Sequence, residues 1–274
     1  MAHEFCPGYP PPYDALVASY PGTDVYPAAD FRVEWGPIFH RGRLDGSAVL
    51  LVVGQDPAAH ESAARRILVG VAGQRAQGLL SKLGITRSYV MVNTFLYSVY
   101  GQAGGSRHDR DPAIAAYRHR WLDAIVAQNH IDAVITLGSL AADAFTAWAE
   151  TPTGAAFHGH HAQLLHPTYP ESASAAGQVT LAAATKQLLD NWNAAIPGLV
   201  VALTHPDQAP HPTLYGNAFA SGDLTAIPEA DLPAGLPDWM RSQEAWASRT
   251  GTTADDKRAT LTVVVPGDQR PWKP

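Results

Sequence analysis

Cysteine is almost missing from this 274-residue chain: Cys6 stands alone. One thiol cannot close an internal disulfide, nor supply the four thiolates that hold an iron–sulfur cluster, so Cys6 is expected to be inert. Long hydrophobic runs are absent too. No stretch approaches the roughly 18 apolar residues of a membrane span, and the first thirty residues lack the basic start, apolar stretch and small-residue cleavage site of a secretory leader. A cytoplasmic protein with no membrane partner is expected. Positive charge is scarce overall, at 19 Lys plus Arg against 25 Asp plus Glu. A net charge of -6 argues at first against binding a polyanion. The sum hides an asymmetry, however: residues 32 to 120 carry 12 basic against 6 acidic side chains, whereas Val201 onward carries 6 against 9. Both a locally basic face and an ordinary mixed-charge surface satisfy these counts. A serine hydrolase is disfavoured because no Gly-x-Ser-x-Gly elbow occurs.

What is present is a chain that is 46% hydrophobic, enough for one large domain with an extension. Residues 1–30 contain Pro7, Pro10, Pro11, Pro12, Pro21 and Pro27, and read as an irregular lead-in. Four short apolar segments then read as buried strands: Ala48 to Val53, Tyr89 to Val92, Ala133 to Leu137 and Gln163 to Leu165. Helical patterns lie between and after them, at Ala63 to Leu83, Pro112 to Asn129, Leu140 to Ala149 and about Thr180 to Ala195. Such alternation predicts an α/β fold, a three-layer αβα sandwich around a four-stranded parallel sheet. Residues 31–196 form this core. From 197 to 274 the pattern degrades into Pro- and Gly-rich turns around one apolar run, Leu261 to Val265. An irregular C-terminal extension packed on the core, with two strands, is expected there.

Ligands of such sheets bind beyond the carboxyl ends of the strands. Polar residues stand at those ends: Gly54-Gln55-Asp56-Pro57 after the first strand, Asn93-Thr94 after the second, Gly138-Ser139 after the third and His166-Pro167-Thr168 after the fourth. In order and spacing, the first, second and fourth of these resemble the three active-site motifs of uracil-DNA glycosylases. The stretch Arg66 to Gln74 is similar to the corresponding segment of the superfamily branch that carries an iron–sulfur cluster, so the chain looks like a hybrid of the two without the cluster. The resemblance covers about residues 45 to 195.

This resemblance implies a monofunctional enzyme of base excision repair that flips uracil out of DNA, hydrolyses its glycosidic bond and leaves an abasic site, as a monomer and without a metal or other cofactor. Breaking that bond builds positive charge on the sugar and negative charge on the base. Asp56 is the candidate to stabilise the first and orient the water, and His166 to donate a hydrogen bond to the leaving base. With an ordinary pKa of about 3.9, Asp56 would be ionised and a weak proton acceptor. Taken alone, Asp before Pro more often caps a turn, and a lone His or Asn more often finishes a strand end.

Asn93 can pair with uracil N3–H and O4, a pattern that cytosine reverses. Gln55, Ala58 and Leu68 complete the expected base pocket. Two positions depart from the family: Ala58 replaces a tyrosine that blocks the thymine methyl, and Leu68 replaces a phenylalanine that stacks on the base, a role for which Phe95 is the alternative. Arg65, Arg66, Arg75, Thr168 and Tyr169 are the expected DNA contacts, Thr168 at a phosphate and Tyr169 with Pro170 at the minor groove. No lysine accompanies the motifs, which disfavours a Schiff base. His158, His160 and His161 lack a spaced carboxylate or cysteine and are not expected to bind metal. Gly101 through Gly105, with Arg107, His108 and Arg110, reads as a flexible basic loop. A broader glycosylase of deaminated bases and a noncatalytic binder of uracil or abasic DNA are the competing readings.

Overall fold

The computed structural model describes residues 8–242 and 245–270. Cys6 and Pro7 lie outside them. In chain order the elements are α1 (Tyr13–Ala18), β1 (His40–Gly42), β2 (Leu50–Gly54), α2 (Ala59–Ala64), α3 (Gly70–Lys82), β3 (Tyr89–Asn93), α4 (Gly101–His108) and α5 (Pro112–Gln128). There follow β4 (Ala133–Leu137), α6 (Ser139–Ala149), α7 (Pro152–Ala155), β5 (His160–Leu164), α8 (Tyr169–Ala175) and α9 (Leu181–Ala202). The extension adds α10 (Trp239–Ser242), β6 (Ala247–Ser248), α11 (Ala254–Ala259) and β7 (Thr262–Val263).

The sheet runs β1-β3-β2-β4-β5. β2, β3, β4 and β5 are parallel, as expected, but the sheet has a fifth strand, β1, paired antiparallel with β3. β1 is only three residues long, too short for alternation to reveal it. β2 shows why the sheet is central. Its side chains alternate between faces, Leu50 and Val52 meeting α3 and α9 through Leu79, Leu80, Leu188 and Trp192, while Leu51 and Val53 meet α1, α5 and α6 through Leu16, Trp121, Ile125 and Phe145. Two helical layers therefore cover a sheet that is apolar on both sides.

Capping defines several helix starts. Asp111 accepts the Ala113 amide at 2.9 Å with Pro112 in the first turn, and Thr180 accepts the Ala183 amide at 3.2 Å. The lead-in contains one short helix, α1, whose Tyr13 and Leu16 are buried. Three further expectations are corrected. The pattern at Ala63 to Leu83 is two helices, α2 and α3, separated by a tight turn with positive φ at Arg65, Leu68 and Gly70 (57°, 50° and 70°). Gly101 to Gly105 is not a loop but the start of α4, which the closeness of Gly105 to Leu140 and Phe95 allows to dock tightly. Finally, α9 does not stop before Pro197; it runs on to Ala202, because burial of Ile196 and Leu199 offsets the lost hydrogen bond. Even this helix is not long and apolar enough to cross a membrane, nor is any other among the described residues.

The extension's two strands, β6 and β7, pair antiparallel away from the main sheet. Trp239, Trp246 and Ile227 pack with Ala64 and Val69, so the extension covers the turn between α2 and α3. Asp231 reaches deeper, pairing with Arg41 at 3.2 Å, both side chains fully buried, and also meeting Arg43 and the Tyr89 hydroxyl.

Candidate active site

The carboxyl ends of β2, β3, β4 and β5 open into one cleft of about 870 Å³. Gln55, Asp56, Ala58, His166, Thr168 and Tyr169 all line it, with Phe95 and Asn191. Each is held there by backbone beyond a strand end. The Thr94 and Phe95 amides donate to the Gly54 and Gln55 carbonyls, both at 2.9 Å, which ties the ends of β2 and β3 together. At the end of β5, the Leu165 amide donates to Asn191 at 2.7 Å and the Leu165 carbonyl accepts from Trp192 at 3.0 Å.

Asp56 is partly buried at the cleft, and one of its oxygens accepts the Val99 amide at 3.0 Å, 43 residues along the chain. It does not cap the adjacent helix. Glu61 does that, accepting the Ala58 amide at 3.0 Å and the Val69 amide at 3.2 Å. Burial raises the Asp56 carboxyl to about 6, against the smaller opposing effects of the Val99 amide and Arg32. Glu61 is also raised by burial, to about 7, with the charge of Asp56 adding to the effect.

His166 is held in a defined tautomer. Its Nδ1 lies 3.0 Å from the Thr168 hydroxyl and accepts the Thr168 amide at 3.3 Å. An amide can only donate, so Nδ1 carries the lone pair and Nε2 the proton. Burial lowers the ring's pKa to about 4. At neutral pH His166 is therefore a neutral donor, and the Thr168 hydroxyl is turned to the ring.

Asn93 and Leu68 do not line this cleft: both lie beside Gly54, and Asn93 lines a separate small pocket with Tyr26, Phe39 and Tyr117. A Cβ on Gly54 would lie 2.3 Å from the Asn93 Oδ1 and 3.8 Å from the Leu68 Cδ1. Only glycine lets that amide lie across the strand end. On the opposite side, the absence of a Cβ at Gly138 admits the Gln55 amide, which would otherwise be met at 2.2 Å. Leu68 and Phe95 are both buried, but only Phe95 lines the cleft, packing edge-on against Phe31 at 5.3 Å.

The three arginines expected at DNA each hydrogen-bond within the chain. Arg65 donates to the Trp35 and Pro37 carbonyls at 2.6 and 2.7 Å, and Arg66 to the Arg65 carbonyl at 2.9 Å. Arg75 donates to the Pro167 carbonyl at 2.7 Å and grips Glu171 at 2.8 and 3.1 Å, with its guanidinium 4.7 Å from the Phe219 ring centroid. It thus clamps the loop bearing His166. The Tyr169 hydroxyl donates to Gln187 at 2.7 Å.

Sequence reasoning missed Glu61, Asn191 and the Val99 amide. Glu61 had a faint signal, an acid three residues into a helix. The other two are set by long-range packing. His160 and His161 leave opposite faces of β5, the latter bonded to Thr136 at 3.0 Å, while His158 is exposed. Among the described residues no three His, Cys, Asp or Glu side chains gather as metal ligands. A single cysteine in the whole sequence does not fit the donor set of the cluster carried by one branch of relatives.

No curated protein matches this chain. The sequence model of the Uracil DNA glycosylase superfamily matches residues 42–211, a span that holds every strand and loop of the cleft, and the chain belongs to that superfamily of glycosylases acting on DNA bases.

Proposed function

We propose that the protein is a monofunctional uracil-DNA glycosylase, which takes uracil out of the helix and hydrolyses its N-glycosidic bond to leave an abasic site. The observation that carries this reading is the pairing, in one cleft, of a partly buried carboxylate with a neutral imidazole whose donor proton is fixed. Asp56 orients the water and balances the positive charge that grows on the sugar. Its pKa of about 6 makes it a better proton acceptor than an ordinary aspartate. Nε2–H of His166 donates to the base oxygen as negative charge collects there, without first having to lose or gain a proton. Gln55 and Ala58 shape the base pocket and Phe95 takes the aromatic wall that Leu68 does not provide, while Asn93, which lies outside the cleft lining beside Gly54, reads the base by turning its amide in past that glycine.

Ala58 supports a second, wider reading, in which 5-substituted uracils or other deaminated bases are also accepted. It lines the cleft with only a methyl group, and a pocket discriminates one methyl by only ~1–3 kcal/mol. The test is base release from labelled oligonucleotides carrying uracil, a 5-substituted uracil or hypoxanthine, with EDTA present, by the native protein, Asp56→Asn and His166→Ala. Alkali-labile cleavage at uracil, reduced about 100-fold or more in both variants, is expected. Tight binding to uracil or abasic DNA with no release would replace catalysis by sensing.

A further inference from the structure

Beyond residue 211, where the superfamily match ends, the extension returns with two arginines to Trp35 and Tyr100, beside the Val99 end of the cleft. Arg258 and Arg32 both lie over the Tyr100 ring, their guanidinium carbons 4.5 and 4.1 Å from its centroid, and Arg249 lies 5.0 Å from that of Trp35. Glu34 is the carboxylate that meets this group, 3.6 Å from Arg258 and accepting the Tyr100 hydroxyl at 3.0 Å. Three guanidiniums against one carboxylate leave the strip positive in a protein of net charge -6. Gathering like charges is costly unless an anion joins them. Arg249 is the sharpest case: one nitrogen donates to the Ser62 hydroxyl at 2.9 Å, while its Nη1 is buried with no partner.

The strip borders the catalytic wall. Arg32 and Tyr100 flank the Phe31 to Val99 bridge, and the Val99 amide is the one that holds Asp56. Ser62, the partner of Arg249, lies on α2, the helix that leaves the cleft at Ala58.

We propose that Arg32, Arg249 and Arg258 form a phosphate-binding strip for the DNA strand that enters the cleft, so that the C-terminal extension supplies part of the DNA-binding surface; this rests on DNA being the substrate. Guanidiniums held against the Tyr100 and Trp35 rings suit the two-point grip that phosphate oxygens accept. With a chain of net negative charge, attraction to DNA has to come from such local groupings.

The test is the affinity for an unmodified fluorescent duplex, measured by anisotropy between about 50 and 200 mM salt, for the native protein, Arg249→Gln/Arg258→Gln and Arg32→Gln. Each lost phosphate contact should flatten the slope of log K against log salt by about 0.9 and weaken binding by roughly tenfold near 0.1 M. Slopes and affinities unchanged from native in the folded variants would overturn the strip. Arg32→Gln leaves the extension's own arginines in place, so it decides the matter if the double variant fails to fold. Uracil release is measured in parallel: a flattened slope in a protein that releases no base would keep the strip and remove the glycosylase reading.

Discussion

Asp56 is kept at the cleft at a cost in stability. Its folded pKa of about 6 lies above the ordinary 3.8, so between those values the native state holds a proton that the unfolded state has lost, and stability falls as pH rises through that window. Above pH 6 the full penalty remains, roughly 2–3 kcal/mol for a shift of this size. Asp56→Asn should therefore raise the free energy of unfolding at pH 7 by that order while abolishing base release; urea titration of both proteins at pH 7 and pH 4.5 checks it, with the gap narrowing at the lower pH. Catalysis needs the carboxylate ionised, so kcat/KM for uracil release should lose activity below about pH 6, whereas His166, neutral above about pH 4, should add no limb near neutrality. Thr168→Val keeps the backbone donor to Nδ1 but removes the hydroxyl, and a drop in kcat of about tenfold with little change in KM is expected from single-turnover and steady-state rates. That Asp56 and His166 stand at strand ends facing one cleft was legible, because strand ends announce themselves after a run of apolar residues; that Asn93 at the end of β3 does not line it was not. Nor was Glu61, since its carboxylate joins Ala58 to Val69 across a turn that no periodicity reveals.

That turn shows how elements set the site. Gly73, in the first turns of α3, lies so close to Leu68 that a Cβ there would stand 1.6 Å from the Leu68 carbonyl oxygen. The contact holds Leu68 at φ 50°, an uncommon conformation for a bulky residue, with its side chain against Gly54. Gly73→Ala should push this turn away, lowering stability by about 2–4 kcal/mol and base release with it; thermal unfolding and activity of the same preparation measure both. The helical pattern at Ala63 to Leu83 carried on across the break because the turn residues Ile67, Leu68 and Val69 are themselves buried and apolar. For α4 the bias ran the other way: glycine predicts loop from local preference, but at Gly105 the lack of a side chain lets the helix dock beside Leu140 and Phe95. The parallel strands β2, β3 and β4 were legible to within two residues, being buried on both faces and rich in Val, Ile and Leu, whereas β5, read as Gln163 to Leu165, begins at His160, its start hidden by exposed polar residues.

Across the whole molecule the extension is bound by more than surface contact. His60 Nε2 accepts the Trp246 and Ala247 amides, both at 3.2 Å, and Asp207 accepts the Thr86, Arg87 and Ser88 amides at 2.7, 2.8 and 3.0 Å. Burial lowers the His60 pKa below 6.5, so its contribution is complete above that value and is lost as pH falls towards the folded pKa. Asp231→Ala would strand Arg41 as a buried, uncompensated charge, and a loss of about 3–5 kcal/mol in urea unfolding is expected. None of this was legible in a segment whose turns conceal its partners, since each contact joins residues more than a hundred positions apart. The ion pair of Arg41 with Asp231 also places one partner just before, and the other well after, the span shared with the superfamily. The unit of descent and the unit of folding thus have different boundaries here. Grafting the shared span onto a relative, or exchanging its tail for another, would separate a pair of charges that water can no longer reach, and inheritance of the catalytic module is tied to inheritance of its tail.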